Sequence, residues 1–145
     1  TCTVHDALTA EGILKLKKAN PDASVIAHPE CNSAVLAVSD YIGSTKGMLN
    51  YIRNSAAQRF IVATEGGILY EMKQQNPNKE FISVPAQEGC SCLECADMKV
   101  NTLEKLYNCI LNELPEINLP ADLIQKAEKP ILRMLDMSQQ LGIIK

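Results

Sequence analysis

The chain has no Trp, two Phe and four Tyr, so aromatics make up only 4% of its 145 residues. A platform for single-stranded nucleic acid needs several aromatic faces, and few are on offer. Neither charge sign is in excess. Lys and Arg total 14 and Asp and Glu total 17, for a formal net charge of −3. Nothing in that balance draws the chain to nucleic acid or to an anionic bilayer. No apolar run approaches the roughly 20 residues of a membrane-crossing helix. The opening Thr1-Cys2-Thr3-Val4-His5 has neither the basic nor the apolar stretch of a secretory leader. The expectations are therefore no nucleic-acid partner, no membrane and a cytoplasmic location.

What is present is ordinary for one globular domain: 46% hydrophobic and 21% charged residues. Six Cys stand at positions 2, 31, 90, 92, 95 and 109. A secreted disulfide scaffold would be shorter and richer in loops. In a cytoplasmic α/β chain, clustered thiols point instead to metal or redox chemistry.

Periodicity gives the elements. Residues 9–19 (TAEGILKLKKA) read as a helix with Thr9 as cap, an apolar stripe of Ile13, Leu14 and Leu16, and basic residues at its end. Residues 24–27 (SVIA), 59–64 (RFIVAT) and 80–84 (EFISV) read as buried strands. Helices are predicted over 32–41, 46–54, 68–75, 99–114 and 121–141, the last interrupted at Pro130. Alternating strands and helices imply an α/β fold, a small three-stranded parallel sheet with flanking helices. In such sheets functional groups gather beyond the carboxyl ends of the strands. Here those ends carry His28-Pro29-Glu30, Thr64-Glu65 and the loop leading to Cys95.

Each cluster has a chemical and a bland reading. Three thiols in Gly89-Cys90-Ser91-Cys92-Leu93-Glu94-Cys95 suit soft metals or disulfide exchange. No second CxxC or His pair completes a closed zinc site, so a further ligand would be distant, such as Cys2. His28 and Glu30 can face one pocket as an acid/base pair; a packing His beside a solvated Glu is the commoner outcome of such a pattern. Gly43-Ser44-Thr45 opens a helix, where amides and hydroxyls can hold phosphate or carboxylate, or Ser and Thr simply cap. Thr64-Glu65-Gly66-Gly67 reads the same way. His5 is a lone His, and Cys31 and Cys109 read as packing residues.

Taken in order, these segments resemble the quinolinate synthase family. The carriers are Cys2-Thr3-Val4-His5, His28-Pro29-Glu30, Gly43-Ser44-Thr45, Phe60-Ile61-Val62-Ala63-Thr64-Glu65-Gly66-Gly67-Ile68, Cys92-Leu93-Glu94-Cys95, Met98-Lys99-Val100-Asn101-Thr102-Leu103 and Arg133-Met134-Leu135. The resemblance implies condensation of iminoaspartate with dihydroxyacetone phosphate to quinolinate, phosphate and water, in NAD biosynthesis. It implies a [4Fe–4S] cluster held by three Cys, with one iron open as a Lewis acid. It implies three similar α/β domains around a pseudo-threefold axis, each giving one ligand, and a functional link to an aspartate-oxidising enzyme. Residues 1–8 would end the second domain, 9–98 would form the third, and 99–145 would be helices packing on a neighbouring domain.

By the same resemblance Cys2 and Cys95 match the second and third cluster ligands. The first has no counterpart here, so the chain is expected to be an incomplete portion, inactive when isolated. Glu30 matches the general acid/base, His28 a substrate-orienting group within the His28-Pro29-Glu30 substrate segment, and Ser44 and Thr45 the residues that grip carboxylate or phosphate. Cys92 with Cys95 forms a C-x-x-C that could close as a redox disulfide. Ala96 follows Cys95 where many relatives have Pro, and Cys90 is not counted as a ligand. Two other classes stay open: a stand-alone Cys-based metal or redox module, and an α/β interaction domain with adventitious thiols.

Overall fold

The computed structural model describes residues 2–85 and 94–144. They divide into two compact units, Thr1–Val100 and Asn101–Lys145. The first holds a parallel sheet of β1 (Ser24–Ala27), β2 (Tyr41–Ile42), β3 (Arg59–Ala63) and β4 (Glu80–Ser83), in the order β2-β1-β3-β4. Helices α1 (Thr3–Asp6), α2 (Ala10–Ala19), α3 (Ser33–Ala37), α4 (Thr45–Asn54), α5 (Ile68–Gln75) and α6 (Ala96–Lys99) belong to the same unit.

The central strands are apolar throughout because both faces of the sheet are covered. Side chains alternate across a strand, so Val25, Ala27, Ile61 and Ala63 join one core with Leu8, Ile13 and Val35. Ile26, Phe60 and Val62 join the other with Met48, Ile52 and Met72. Phe60 is fully buried. Caps fix the helix starts: Thr9 accepts from Gly12 N at 3.1 Å, Asn32 from Val35 N at 3.1 Å and Ser44 from Gly47 N at 3.2 Å. Lys79 Nζ donates to Ile52 O at 2.6 Å and Ser55 O at 2.7 Å, placing a cation at the carbonyl end of α4.

Three expectations need correction. The helix predicted over 32–41 ends at Ala37, and Tyr41–Ile42 become the edge strand β2, so the sheet has four strands rather than three. Asp40 diverts the chain: its carboxylate accepts from Val25 N at 2.7 Å and its own N–H donates to Val25 O at 2.8 Å. The helix predicted over 99–114 is shorter, α7 (Leu103–Asn112), because Thr102 starts it as a cap, accepting from Lys105 N at 3.2 Å, while Lys99 ends the separate four-residue α6. The last helix, α8 (Ala121–Gln140), runs through Pro130 without interruption. Proline removes one donor from the ladder, and the turns on either side carry the helix past it.

The turn after β2 depends on glycine. A Cβ on Gly43 would lie 2.6 Å from the Tyr41 hydroxyl, and one on Gly47 2.8 Å from it. Tyr41 is held in place by stacking on Tyr51, with ring centroids 4.3 Å apart. Gly43→Ala should therefore cost about 1–3 kcal/mol of overpacking, read as a lowered urea midpoint. An unchanged midpoint would mean that the Tyr41 ring gives way freely.

In the second unit, α7 and α8 expose apolar side chains, among them Leu103, Ile110, Leu111, Leu132 and Met134. Among the described residues, no helix is long and apolar enough to cross a membrane.

Candidate functional site at the ends of β1 and β3

Ala27 and Ala63 are register partners, so β1 and β3 end side by side. The turn after β1 is stitched to β3. His28 N donates to Ala63 O at 3.1 Å, Cys31 N to His28 O at 3.0 Å, and the Cys31 thiol to Ala63 O at 3.4 Å. Burial pushes the Cys31 thiol pKa up, which suits a packing role. The stitched turn sets His28 on a cleft and leaves Glu30 exposed, outside the residues that line it.

His5 reaches the same place from α1. It is 7% exposed, and its Nε2 lies 3.0 Å from the Thr64 hydroxyl oxygen. Its ring stacks on His28 with centroids 4.4 Å apart and planes 10° apart. One oxygen of Glu30 lies 3.3 Å from His5 Nδ1 and 3.8 Å from His28 Nδ1. His28 Nδ1 also accepts the Glu30 N–H at 3.3 Å. His5 Nδ1 faces the Glu30 carboxylate without satisfactory hydrogen-bond geometry. A single carboxylate thus stands against two imidazoles.

Burial first, and then the neighbouring His28, hold the His5 pKa below its ordinary 6.5, although Glu30 pulls it upward. Between the lowered value and 6.5 the unfolded chain binds the proton more readily than the folded one. The stability this gives is complete above pH 6.5 and falls as pH drops through that window. Urea unfolding of the metal-free chain should show this slope as pH falls below 6.5, and His5→Gln should flatten it. An equal slope in the variant would place the effect elsewhere.

His5, His28, Thr45, Thr64, Glu65 and Tyr70 line a cleft of about 420 Å³, within the range that takes small metabolites. Of the expected site residues, His28 and Thr45 lie on this cleft. Pro29 is exposed in the turn, and Ser44 spends its hydroxyl on capping α4.

Cys2 and Cys95 are both free, partly exposed and at the N-caps of short helices, α1 and α6. Neither side chain makes a cap hydrogen bond. Iron–sulfur clusters take thiolate ligands, and two free, partly exposed thiols are of the chemical type such a group takes. Among the described residues, donor atoms of Cys2, His5 and Glu30 lie within 4.8 Å of one another, a group that does not include Cys95. Cys90 and Cys92, and with them the C-x-x-C pairing, lie outside the described residues. Cys109 is exposed on α7, in the second unit.

Glu65 ties Cys95 to the end of β3. One of its oxygens accepts from Cys95 N at 3.3 Å and the other from Gly67 N at 2.8 Å. Glu65→Ala should free the Cys95 segment and raise the alkylation rate of Cys95 roughly fivefold, the equivalent of about 1 kcal/mol. Glu65→Gln keeps an acceptor and should stay near the parent rate. Peptide mapping of the metal-free chain reads both, and an unchanged rate in the alanine variant would show that the tie does not hold the thiol.

Sequence reasoning gave His5 no role and left Thr64 and Glu65 between a capping turn and an anion contact. The available signal was the spacing of Cys2 and His5, which puts both on one side of a helical turn.

Sequence comparison decides the family. Residues 1–136 match the quinolinate synthetase A protein family. The chain belongs to this family. It is 50% identical over 138 residues to a quinolinate synthase of Microcystis aeruginosa, covering 95% of this chain and 43% of that protein. It is 49% identical over 139 residues to one of Prochlorococcus marinus, covering 96% and 42%, and 44% identical over 138 residues to one of Cyanophora paradoxa, covering 95% and 42%. The chain therefore spans about two fifths of the length of the quinolinate synthases it matches.

Proposed function

We propose that this chain supplies the acid/base part of a quinolinate synthase active site. The reaction is condensation of iminoaspartate with dihydroxyacetone phosphate to quinolinate, phosphate and water, in NAD biosynthesis in the cytoplasm. The observation that carries this reading is the Glu30 carboxylate set against His5 and His28 at the ends of β1 and β3, in a chain of this family. The imine, enol and dehydration steps each need a proton moved to or from substrate. Glu30, exposed beside the two imidazoles, takes and returns those protons. His28 orients a substrate carboxylate or hydroxyl.

Both substrates are anions. Thr45 lines the cleft at the start of α4, where helix amides favour negative charge. Ser44 supports that grip by holding the first turn of the helix. Cys2 and Cys95 are the residues that would hold a [4Fe–4S] cluster, with a third ligand from outside this pair. When bound, such a cluster supplies a Lewis acid that draws electron density from substrate oxygen or nitrogen. The exposed apolar faces of α7 and α8 fit packing on a neighbouring domain of the pseudo-threefold assembly. An aspartate-oxidising enzyme would supply iminoaspartate.

The test is a full-length family protein carrying these residues, supplied anaerobically with iminoaspartate and dihydroxyacetone phosphate. Quinolinate and phosphate should accumulate together in equal amounts. Phosphate release without quinolinate, from a protein with its full iron content, would sink the assignment.

A further inference from the structure

His5 has a feature that acid/base chemistry at Glu30 does not use. Its Nε2 is 3.0 Å from the hydroxyl oxygen of Thr64, a residue 5% exposed. With the proton on Nε2 donated to that oxygen, the lone pair falls on Nδ1. That atom is buried and, among the described residues, lacks a hydrogen-bond partner. An imidazole whose far nitrogen is fixed by a buried partner is the usual arrangement of a metal-binding His. Nδ1 looks toward Glu30 at 3.3 Å, and the donor atoms of Cys2, His5 and Glu30 all lie within 4.8 Å of one another.

We propose that Cys2, His5 and Glu30 form a mononuclear site for a zinc-type divalent ion in the cluster-free chain. Sulfur, imidazole and carboxylate are the three donor types such ions take. A tetrahedral ion with bonds of about 2.0–2.3 Å holds its donors roughly 3.3–3.8 Å apart. The His5–Glu30 pair already meets that spacing. Cys2 is partly exposed and the Glu30 side chain is exposed, so both have room to close the remaining distance. Three protein ligands leave the fourth position to water. His28 is not needed as a ligand, since its Nδ1 accepts the Glu30 N–H. The site stands on this geometry and not on the cluster assignment. It has a consequence for it, however: Cys2 cannot serve a zinc-type ion and a cluster together, so an ion bound here blocks cluster assembly.

The experiment titrates the metal-free, reduced 145-residue chain with Co²⁺ under anaerobic conditions. One ion per chain should bind, with the visible bands of four-coordinate cobalt and a thiolate charge-transfer band. Cys2→Ser should remove the charge-transfer band, and His5→Phe should weaken binding more than tenfold. Cys92→Ser and Cys95→Ser should leave the band intact. Thr64→Val keeps all three ligands and the shape of the residue, and should still weaken binding by about 10–100-fold. That variant tests the site even if Cys2→Ser disturbs α1. A thiolate band that survives Cys2→Ser, or that disappears in Cys95→Ser, overturns the proposal, as does parental affinity in Thr64→Val. None of these results bears on the cluster reading, which is decided by iron and sulfide content.

Discussion

Glu30→Gln, in a full-length family protein carrying these residues, should lower quinolinate formation by about 10²–10⁴-fold, the usual contribution of a general acid or base. Iron content and cluster spectrum should not change. Glutamine keeps the size and one acceptor of glutamate but cannot take a proton. The turn around it is held by backbone bonds from His28 and Cys31 rather than by the Glu30 side chain, so the substitution should leave the fold in place. The Glu30 side chain is 56% exposed, and removing its charge leaves no buried ion without a partner. Loss of iron in this variant would make Glu30 a structural residue and move the acid/base role to another group. Unchanged turnover would remove it from the mechanism.

Cys95→Ser and Cys2→Ser should each abolish stable cluster binding, because a serine oxygen is a poor replacement for a thiolate on iron. Cys109→Ser, on α7 in the second unit, should keep the full iron content, and so should Cys90→Ser. The contrast matters because the chain has six thiols and any of them could pick up iron during reconstitution. If Cys90→Ser loses iron and Cys95→Ser keeps it, the ligands have been assigned to the wrong thiols. Glu65→Gln and Glu65→Ala add a graded test, because Glu65 bonds the Cys95 backbone while the thiol itself stays intact.

Much of the sheet was legible because β1 and β3 are short, continuous apolar runs that only a strand buried on both faces explains. Helix α2 was legible through its Thr9 cap and apolar stripe, and α4 through its Gly43-Ser44-Thr45 start. The edge strand β2 was not. Two residues carry no period, and what ends the preceding helix is Asp40 reaching back to Val25, a contact 15 residues apart in sequence. The break between α6 and α7 had a local signal, Thr102 as a cap, hidden inside a stretch that otherwise reads as helix.

The candidate site was legible in its parts and not in its assembly. His28-Pro29-Glu30 stood out because it follows a strand. His5 lies 23 residues upstream of His28, and only the fold stacks the two rings. Thr64 looked like a cap because nothing local shows that its hydroxyl meets a histidine ring 59 residues away. The pairing of Glu65 with Cys95 is hidden for the same reason.

The central proposal is that Cys2 and Cys95 are two thiolate ligands of one iron–sulfur cluster. Anaerobic iron and sulfide reconstitution tests this most directly, run side by side on this chain and on a full-length family protein carrying it. About four irons and four sulfides per protein in the full-length form, as a [4Fe–4S] cluster requires, with no stable cluster on this chain, is the predicted result. A stable cluster on this chain alone that survives Cys2→Ser would contradict it, and would favour an independent metal module built on the thiols of residues 90–95.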